Sequence, residues 1–161
     1  VVEGEITTIR LSQVPTKLIV IIFYPLDFTW VCPTEITKFA EMSTDFLEED
    51  ATIIFASGDS VYSHLAWMER KMEENGIGKI RCPMISDMTK KLSSQFNLYD
   101  EETGTVMRGT VIMDRGFNVK HISANVNPVG RSSMEVLRLV KAFNYFDAHG
   151  EVCPVDFEQS R

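Results

Sequence analysis

Apolar residues along this chain follow two rhythms. Lys17 to Tyr24 (KLIVIIFY) is β-branched, aromatic and almost continuous, the pattern of a central strand covered on both faces. Pro25 ends it. Ala51 to Ser57 (ATIIFAS) repeats the pattern and closes at Gly58-Asp59. Between the two, Ile36, Phe39, Ala40, Met42 and Phe46 recur near helical spacing, which predicts a helix from Pro33 to Glu49. Pro33 suits its first turn, where a missing N–H costs nothing. The residue before a proline disfavours helical dihedrals, so Cys32 is expected at the cap rather than inside the helix.

A second helix is expected from Ser60 to Asn75, with Leu65, Trp67 and Met68 available for packing and Gly76-Ile77-Gly78 ending it. Pro83 to Ser86 reads as a short strand and Thr89 to Phe96 as a short helix. Val106 to Asp114 and Val119 to Ser123 read as strands joined by a hairpin at Arg115-Gly116. Gly130 to His149 is the last helix, with Ser132 and Glu135 spaced as a capping box and Val136, Leu139, Val140, Phe143 and Phe146 as its inner stripe. Weak alternation from Val1 to Gln13, with Ile6, Ile9 and Leu11 inward and a turn at Gly4, predicts a short opening hairpin. This order predicts a mixed α/β sheet with helices on both faces. Residues 1–149 are expected to form one domain. Residues 150–161 lack periodicity and read as an arm.

Composition changes this picture little. The chain has 161 residues, 44% hydrophobic and 24% charged, with a net charge of -7. Those are ordinary globular values. No stretch concentrates Lys and Arg, which argues against nucleic-acid binding. The longest apolar run, Leu18 to Tyr24, is too short to span a bilayer. Glu3, Gly4 and Glu5 break any apolar core of a signal peptide at the start. The chain opens in strand-like sequence, so an upstream piece with targeting information is left open.

Candidate chemistry centres on three cysteines, Cys32, Cys82 and Cys153. No Cys-x-x-Cys occurs, and His64, His121 and His149 are scattered, so neither a metal site nor a cofactor is expected. An odd, small number of cysteines is not a secreted disulfide framework. A reducing compartment is expected, the cytoplasm first, with an organelle such as the mitochondrion open. Cys32 stands at a helix start, where unpaired N–H groups and a partial positive charge favour thiolate over thiol. Cys82 precedes Pro83 with nothing near to activate it, and reads as a small packing residue. Cys153 lies in the tail.

The run Phe23 to Glu35 (FYPLDFTWVCPTE) makes the reading specific. Pro25, Thr29 and Cys32 match a P-x-x-x-T-x-x-C signature. His64-Leu65-Ala66-Trp67, Arg108-Gly109, Val129-Gly130-Arg131-Ser132 and Gly150-Glu151-Val152-Cys153-Pro154 agree with it. Over nearly its whole length the chain resembles a typical two-cysteine peroxiredoxin, of the alkyl hydroperoxide reductase and thiol-specific antioxidant family. The resemblance implies a thioredoxin-like fold and a peroxidase that forms a cysteine sulfenic acid. Cys32 would attack the peroxide as nucleophile. Thr29 would hold thiolate or peroxide, Arg108 would bond both, Glu35 would orient Arg108, Arg131 would add a second positive group, and Pro25 would shield the site.

The resemblance further implies that Cys153 resolves the sulfenic acid of Cys32 on another subunit, giving an intersubunit disulfide that a thioredoxin-like reductant reopens. A homodimer follows, with rings of dimers such as a decamer as the larger assembly. A holdase chaperone and a peroxide-sensing redox relay stand as alternatives. Trp30 replaces a common phenylalanine. Asn75-Gly76-Ile77-Gly78 resembles the glycine-rich loop of overoxidation-prone members, whose Tyr-Phe tail would fall beyond Arg161.

A magnitude shows what the site must achieve. A free cysteine with a pKa of about 8.5 is roughly 3% thiolate at pH 7, so full ionisation gains at most about thirty-fold. Lowering the pKa also weakens the nucleophile, with a Brønsted slope of roughly 0.4–0.5. The larger share of the rate must come from groups that align the O–O bond and stabilise charge on the leaving oxygen.

Overall fold

The computed structural model describes residues 1–158. The last three residues of the expected arm lie outside the described residues. Strand β1 (Leu18–Phe23) is buried at every position, as its unbroken apolar run requires. It pairs in parallel with β2 (Ala51–Ser57), and β2 pairs in parallel with β3 (Met84–Ser86). On its other edge β1 runs antiparallel to a strand from Arg108 to Asp114, which runs antiparallel to one from Val119 to Asn125. These are β6 and β7, because a separate two-stranded ribbon, β4 (Tyr99–Asp100) and β5 (Thr105–Val106), comes before them. The five-stranded order is β3-β2-β1-β6-β7, a mixed sheet as expected.

Strand alternation divides the core in two. Leu18, Val20 and Ile22 of β1, Ile53 and Phe55 of β2 and Ile112 of β6 point to one face. There they meet Ile36 and Phe39 of α1 (Cys32–Glu41), Phe46 of α2 (Ser43–Glu48), Trp67 and Met68 of α3 (Val61–Glu69), and Val136 and Val140 of α5 (Ser133–His149). Ile19, Ile21 and Phe23 point the other way, to Ile54, Val111 and Leu98. That face is covered by Leu92 of α4 (Lys91–Gln95), by Phe96 and by Ile9, Leu11 and Val14 of the opening segment. Helices therefore occupy both faces, but unequally.

Five expectations change in detail. Val106, read as the start of the strand to Asp114, belongs to the separate ribbon, and the strand itself starts at Arg108. The helix over Pro33 to Glu49 is two helices, interrupted at Met42 (φ −85°, ψ 2°). The second helix stops at Glu69, and a 3-10 turn at Met72–Glu74 carries the chain to Asn75, whose left-handed backbone (φ 63°) closes it. The opening segment forms only a tight turn bridging Val2 and Glu5, followed by a 3-10 turn at Leu11–Gln13. In α5 the Ser132 hydroxyl accepts the Glu135 N–H, as a capping box should. Phe146, expected in the inner stripe, is half exposed, and in the same turn Tyr145 stacks on His149 with centroids 4.4 Å apart.

Packing sets the stability of this scaffold. Phe39 is 1% exposed and sits against Phe46, ring centroids 6.3 Å apart. Phe39→Ala should lose about 3–5 kcal/mol by transfer and cavity terms. Leu47, 56% exposed one residue beyond Phe46, should change stability by less than about 0.5 kcal/mol when cut to alanine. Urea unfolding of the two variants side by side checks the contrast.

Candidate active site

The site begins where β1 ends. Tyr24 and Pro25 are buried, and the chain then loops through Leu26 to Val31 before α1 starts at Cys32. Cys32 is thus the first helical residue, and Val31 is the cap, already in helical conformation (φ −85°, ψ −39°). The expectation of Cys32 at the cap is off by one position, and its surroundings are those of a helix N-terminus in either place. The Val31 carbonyl accepts the Thr34 and Glu35 backbone N–H groups and the Thr34 hydroxyl. Cys32 itself is fully buried.

The loop is held in an unusual shape. Phe28 has φ 57°, in the left-handed region, which a bulky side chain occupies only at a cost of about 1–3 kcal/mol. Its ring packs on Trp67, centroids 5.7 Å apart, and the Arg70 guanidinium lies over the ring, 5.8 Å from its centroid. The Asn75 side-chain amide donates to the Thr29 carbonyl at 2.9 Å, and Trp67 Nε1 donates to the Asn75 carbonyl at 2.9 Å. Two residues before Thr29, the Asp27 carboxylate is buried against Tyr24, Ser63 and His64. None of Phe28, Asn75, Asp27 or His64 stands out in the sequence as a site residue. The signals are the motif runs that contain Asp27, Phe28 and His64 and the glycine-rich loop that opens at Asn75.

Arg108 opens β6 and shares its parity with Ile112, so its side chain points to the face that holds α1. Its Nη1 lies 3.3 Å from Cys32 Sγ and 2.8 Å from Glu35 Oε2. Its Nε donates to the Asn127 carbonyl. Nη2 makes no hydrogen bond among the described residues, which leaves one corner of the fork uncommitted. Glu35 sits one helical turn beyond Cys32 and faces a second guanidinium. Its Oε1 accepts Arg131 Nε at 2.8 Å and the Arg131 backbone N–H at 2.7 Å, and its Oε2 accepts Arg131 Nη2 at 3.0 Å. Arg131 Nη1 donates to the Gly109 carbonyl at 2.6 Å. An arginine just before a helix start is poorly placed for the dipole, and Glu35 is what compensates it here.

All three charges are nearly sealed from water, at 4% exposure for Arg108, 5% for Arg131 and 3% for Glu35. Burial by itself would raise the Glu35 pKa. The hydrogen bonds and charge of Arg131, with the charge of Arg108 behind them, outweigh burial and hold the carboxyl below the usual range. Glu35 alone would neutralise Arg108. Arg131 restores one net positive charge to the group, beside the sulfur.

Thr29 makes no hydrogen bond to Cys32. Its hydroxyl donates to the Leu26 carbonyl at 2.9 Å, which leaves its oxygen free to accept from a bound molecule. Pro25 is buried beside the loop. Cys82 is buried, and desolvation pushes its thiol up to about 11, which leaves it protonated and unreactive, as a packing residue should be. Cys153 is free and partly buried on its own α5, where its thiol donates to the Ala142 carbonyl at 3.4 Å. Tyr145 helps hold the arm there, donating to Glu151 at 2.7 Å and packing on Phe157 at 5.0 Å. The structure therefore brings Cys32, Arg108, Glu35 and Arg131 together and leaves Cys153 apart from them. Among the described residues no group of three His, Cys, Asp or Glu side chains is arranged to hold a metal ion. No described helix is long and apolar enough to cross a membrane.

The buried ion group makes a pH-dependent prediction. A carboxyl whose native pKa is depressed adds stability above its unfolded value and loses it as the pH falls through the native value. Glu35→Gln should cost about 3–5 kcal/mol at pH 7, because it leaves two buried guanidiniums short of an anion. The gap between the two proteins should shrink on acidification, as the unmodified Glu35 takes up its proton. Urea unfolding at a series of pH values measures it, and a gap that stays constant into acid would contradict the role given to the Glu35 charge.

Comparison with known proteins gives the family of the chain. Residues 1–122 match the AhpC/TSA family. The human mitochondrial thioredoxin-dependent peroxide reductase is 43% identical over 157 residues, covering 98% of this chain and 61% of that one. Drosophila melanogaster peroxiredoxin 2 is 43% identical over 158 residues, covering 98% of this chain and 81% of that one. The chain thus spans about three fifths of the human relative's length. Among solved structures, reduced Plasmodium vivax 2-Cys peroxiredoxin superposes with a TM-score of 0.87 at 34% identity, covering 90% of this chain and 75% of that one. The family match, the relatives and the fold thus agree, and the chain belongs to the AhpC/TSA family, as a typical two-cysteine peroxiredoxin.

Proposed function

We propose that this chain reduces hydrogen peroxide and small organic hydroperoxides, with Cys32 as nucleophile and Cys153 of a partner copy as the resolving thiol. The observation that carries this reading is the contact of Arg108 Nη1 with Cys32 Sγ at 3.3 Å, with Glu35 and Arg131 fixed behind it. A buried guanidinium beside a sulfur at a helix N-terminus favours the thiolate. The uncommitted Nη2 of Arg108 is the donor left for the peroxide. Thr29, whose hydroxyl donates to the Leu26 carbonyl, accepts from the peroxide O–H.

In the step proposed, the Cys32 thiolate attacks the terminal oxygen of R–O–O–H. The S–O bond forms as the O–O bond breaks, the sulfur loses two electrons, and RO⁻ leaves to take a proton as alcohol or water. Arg108 stabilises the charge that moves onto the leaving oxygen, which is where fixed donors contribute most. Pro25 keeps bulk water from the sulfur. The Cys153 thiol of the partner then attacks the sulfenic sulfur, water leaves, and an intersubunit disulfide remains. A dithiol reductant of the thioredoxin class reopens it by exchange, in keeping with the name of the human relative.

Both sulfurs must leave their present positions for this to happen. Cys32 is sealed in the first turn of α1, and Cys153 rests on its own α5. The described residues that carry Cys153, 150–158, are therefore proposed to act as a mobile arm, and the working unit as a homodimer, with rings of dimers as the higher assembly. The proposed compartment is a reducing one, the cytoplasm or an organelle.

Cys32→Ser should abolish peroxide consumption, and appreciable residual turnover would sink the nucleophile assignment. Cys153→Ser should consume one equivalent of peroxide per subunit and form no covalent dimer on a non-reducing gel. A dimer that persists would move the resolving role to Cys82. Arg108→Lys keeps a charge but loses the rigid fork, and should slow the reaction of Cys32 with peroxide by about 10²-fold. Stopped-flow mixing with hydrogen peroxide reads that loss.

A further inference from the structure

A second buried polar cluster lies behind the active-site loop. Asp27 Oδ1 accepts the Tyr24 hydroxyl at 2.7 Å, and Oδ2 accepts the Ser63 hydroxyl at 2.7 Å and faces His64 Nδ1 at 2.8 Å. On the opposite side of the ring, His64 Nε2 lies 3.2 Å from the Ile85 carbonyl oxygen on β3. His64 is fully buried and Asp27 is 7% exposed. The peroxide chemistry uses neither residue directly.

The His64 ring has three polar neighbours: Asp27 Oδ2 and, at 3.3 Å, the Tyr24 hydroxyl oxygen at Nδ1, and the Ile85 carbonyl at Nε2. The Tyr24 proton is committed to Asp27 Oδ1, so all three present acceptors to the ring. A neutral imidazole has one N–H and would turn a lone pair toward an oxygen at the other nitrogen. Such a buried mismatch costs about 1–3 kcal/mol. A ring with a proton on each nitrogen satisfies the carboxylate and the carbonyl together. The titratable groups that face this cluster are few. Tyr24, from the end of β1, stays a neutral donor, since burial first and the Asp27 charge second raise its pKa well above the ordinary value. Asp59, after β2, is one bond further away: its Oδ2 accepts the Asp27 backbone N–H at 3.0 Å and the Ser57 hydroxyl at 2.7 Å. From β3 the ring meets the Ile85 carbonyl.

The cluster matters because of where Asp27 stands. It is followed by Phe28 in its strained left-handed conformation and then by Thr29. Strain of that kind persists only when the surroundings over-determine it. The anchors flank it: Asp27 on one side, and the Asn75 bond to the Thr29 carbonyl on the other. We propose that His64 is a positioning residue for the peroxide reaction, a buried imidazole protonated on both nitrogens that clamps Asp27 to α3 and β3 and so fixes the loop carrying Thr29. The proposal rests on the reading of Cys32 and Thr29 given above.

Two measurements test it. Long-range nitrogen–proton NMR of the reduced protein, which has three histidines, should show both His64 ring nitrogens protonated at neutral pH. An unprotonated nitrogen there would overturn the proposal, and this measurement needs no variant to fold. The second compares His64→Asn, which keeps a donor near the Nδ1 position, with His64→Gln, which keeps one near Nε2. Each is timed against hydrogen peroxide, which needs the aligned site, and against iodoacetamide, which needs only the thiolate. His64→Gln should lose about ten- to hundred-fold with peroxide while alkylation changes by less than about three-fold, and His64→Asn should recover most of the loss. Equal losses in the two reactions, or two variants that behave alike, would overturn the positioning role. Failure of the unmodified protein to consume peroxide would instead sink the Cys32 reading, and the NMR result would stand apart from it.

Discussion

One carboxylate held between two guanidiniums organises this active site. Glu35 comes from α1, Arg108 from β6, and Arg131 from the approach to α5. Each of the three would be costly to bury alone. Together they leave one net positive charge, and Arg108 delivers it to Cys32 Sγ. The carboxylate also sets geometry. Because Glu35 is one turn from Cys32 on the same helix, anchoring it to both arginines fixes the sulfur relative to β6 and to the loop before α5. The cost of sealing three charges is thus tied to the precision of one contact.

The other half of the site is a loop under strain. Phe28 takes a conformation its side chain disfavours, and Trp67, Arg70, Asn75 and the Asp27 cluster hold it there. Anchors that come mainly from α3 and the turn after it thus shape a loop whose chemistry faces α1. This arrangement suits the proposed cycle, in which the site is rigid for attack and is then released for disulfide formation. Local opening draws on segments with few covering contacts. The arm around Cys153 is such a segment, held by Tyr145, Glu151 and Phe157 on the outer face of α5. The first turn of α1 is far more deeply embedded, so opening there is the more demanding movement.

Much of this was legible along the chain. The apolar runs of β1 and β2, the capping box of α5 and the turn at Arg115-Gly116 are local signals, read from residues within a few positions of one another. The cysteine at a helix start was legible for the same reason, and the motif run around it pointed to the other site residues. Errors occurred where local signals were incomplete. Met42 interrupts a pattern that reads as one helix, and Phe146 belongs to the stripe by spacing but lies half exposed in the last turn of α5.

The amino-acid sequence by itself determined which segments are strands and helices, which cysteine stands at a helix start, and which family the chain resembles. Those are properties of neighbouring residues, because backbone periodicity and terminal hydrogen-bonding needs act over a few positions. Only the tertiary structure decided that Glu35 serves Arg108 and Arg131 at once and that Asp27 is met by His64. The Glu35 partners lie 73 and 96 positions away, and His64 lies 37 from Asp27. Sheet register and helix packing set such meetings, and burial then gives each pairing its energy by removing the water that would otherwise satisfy both partners.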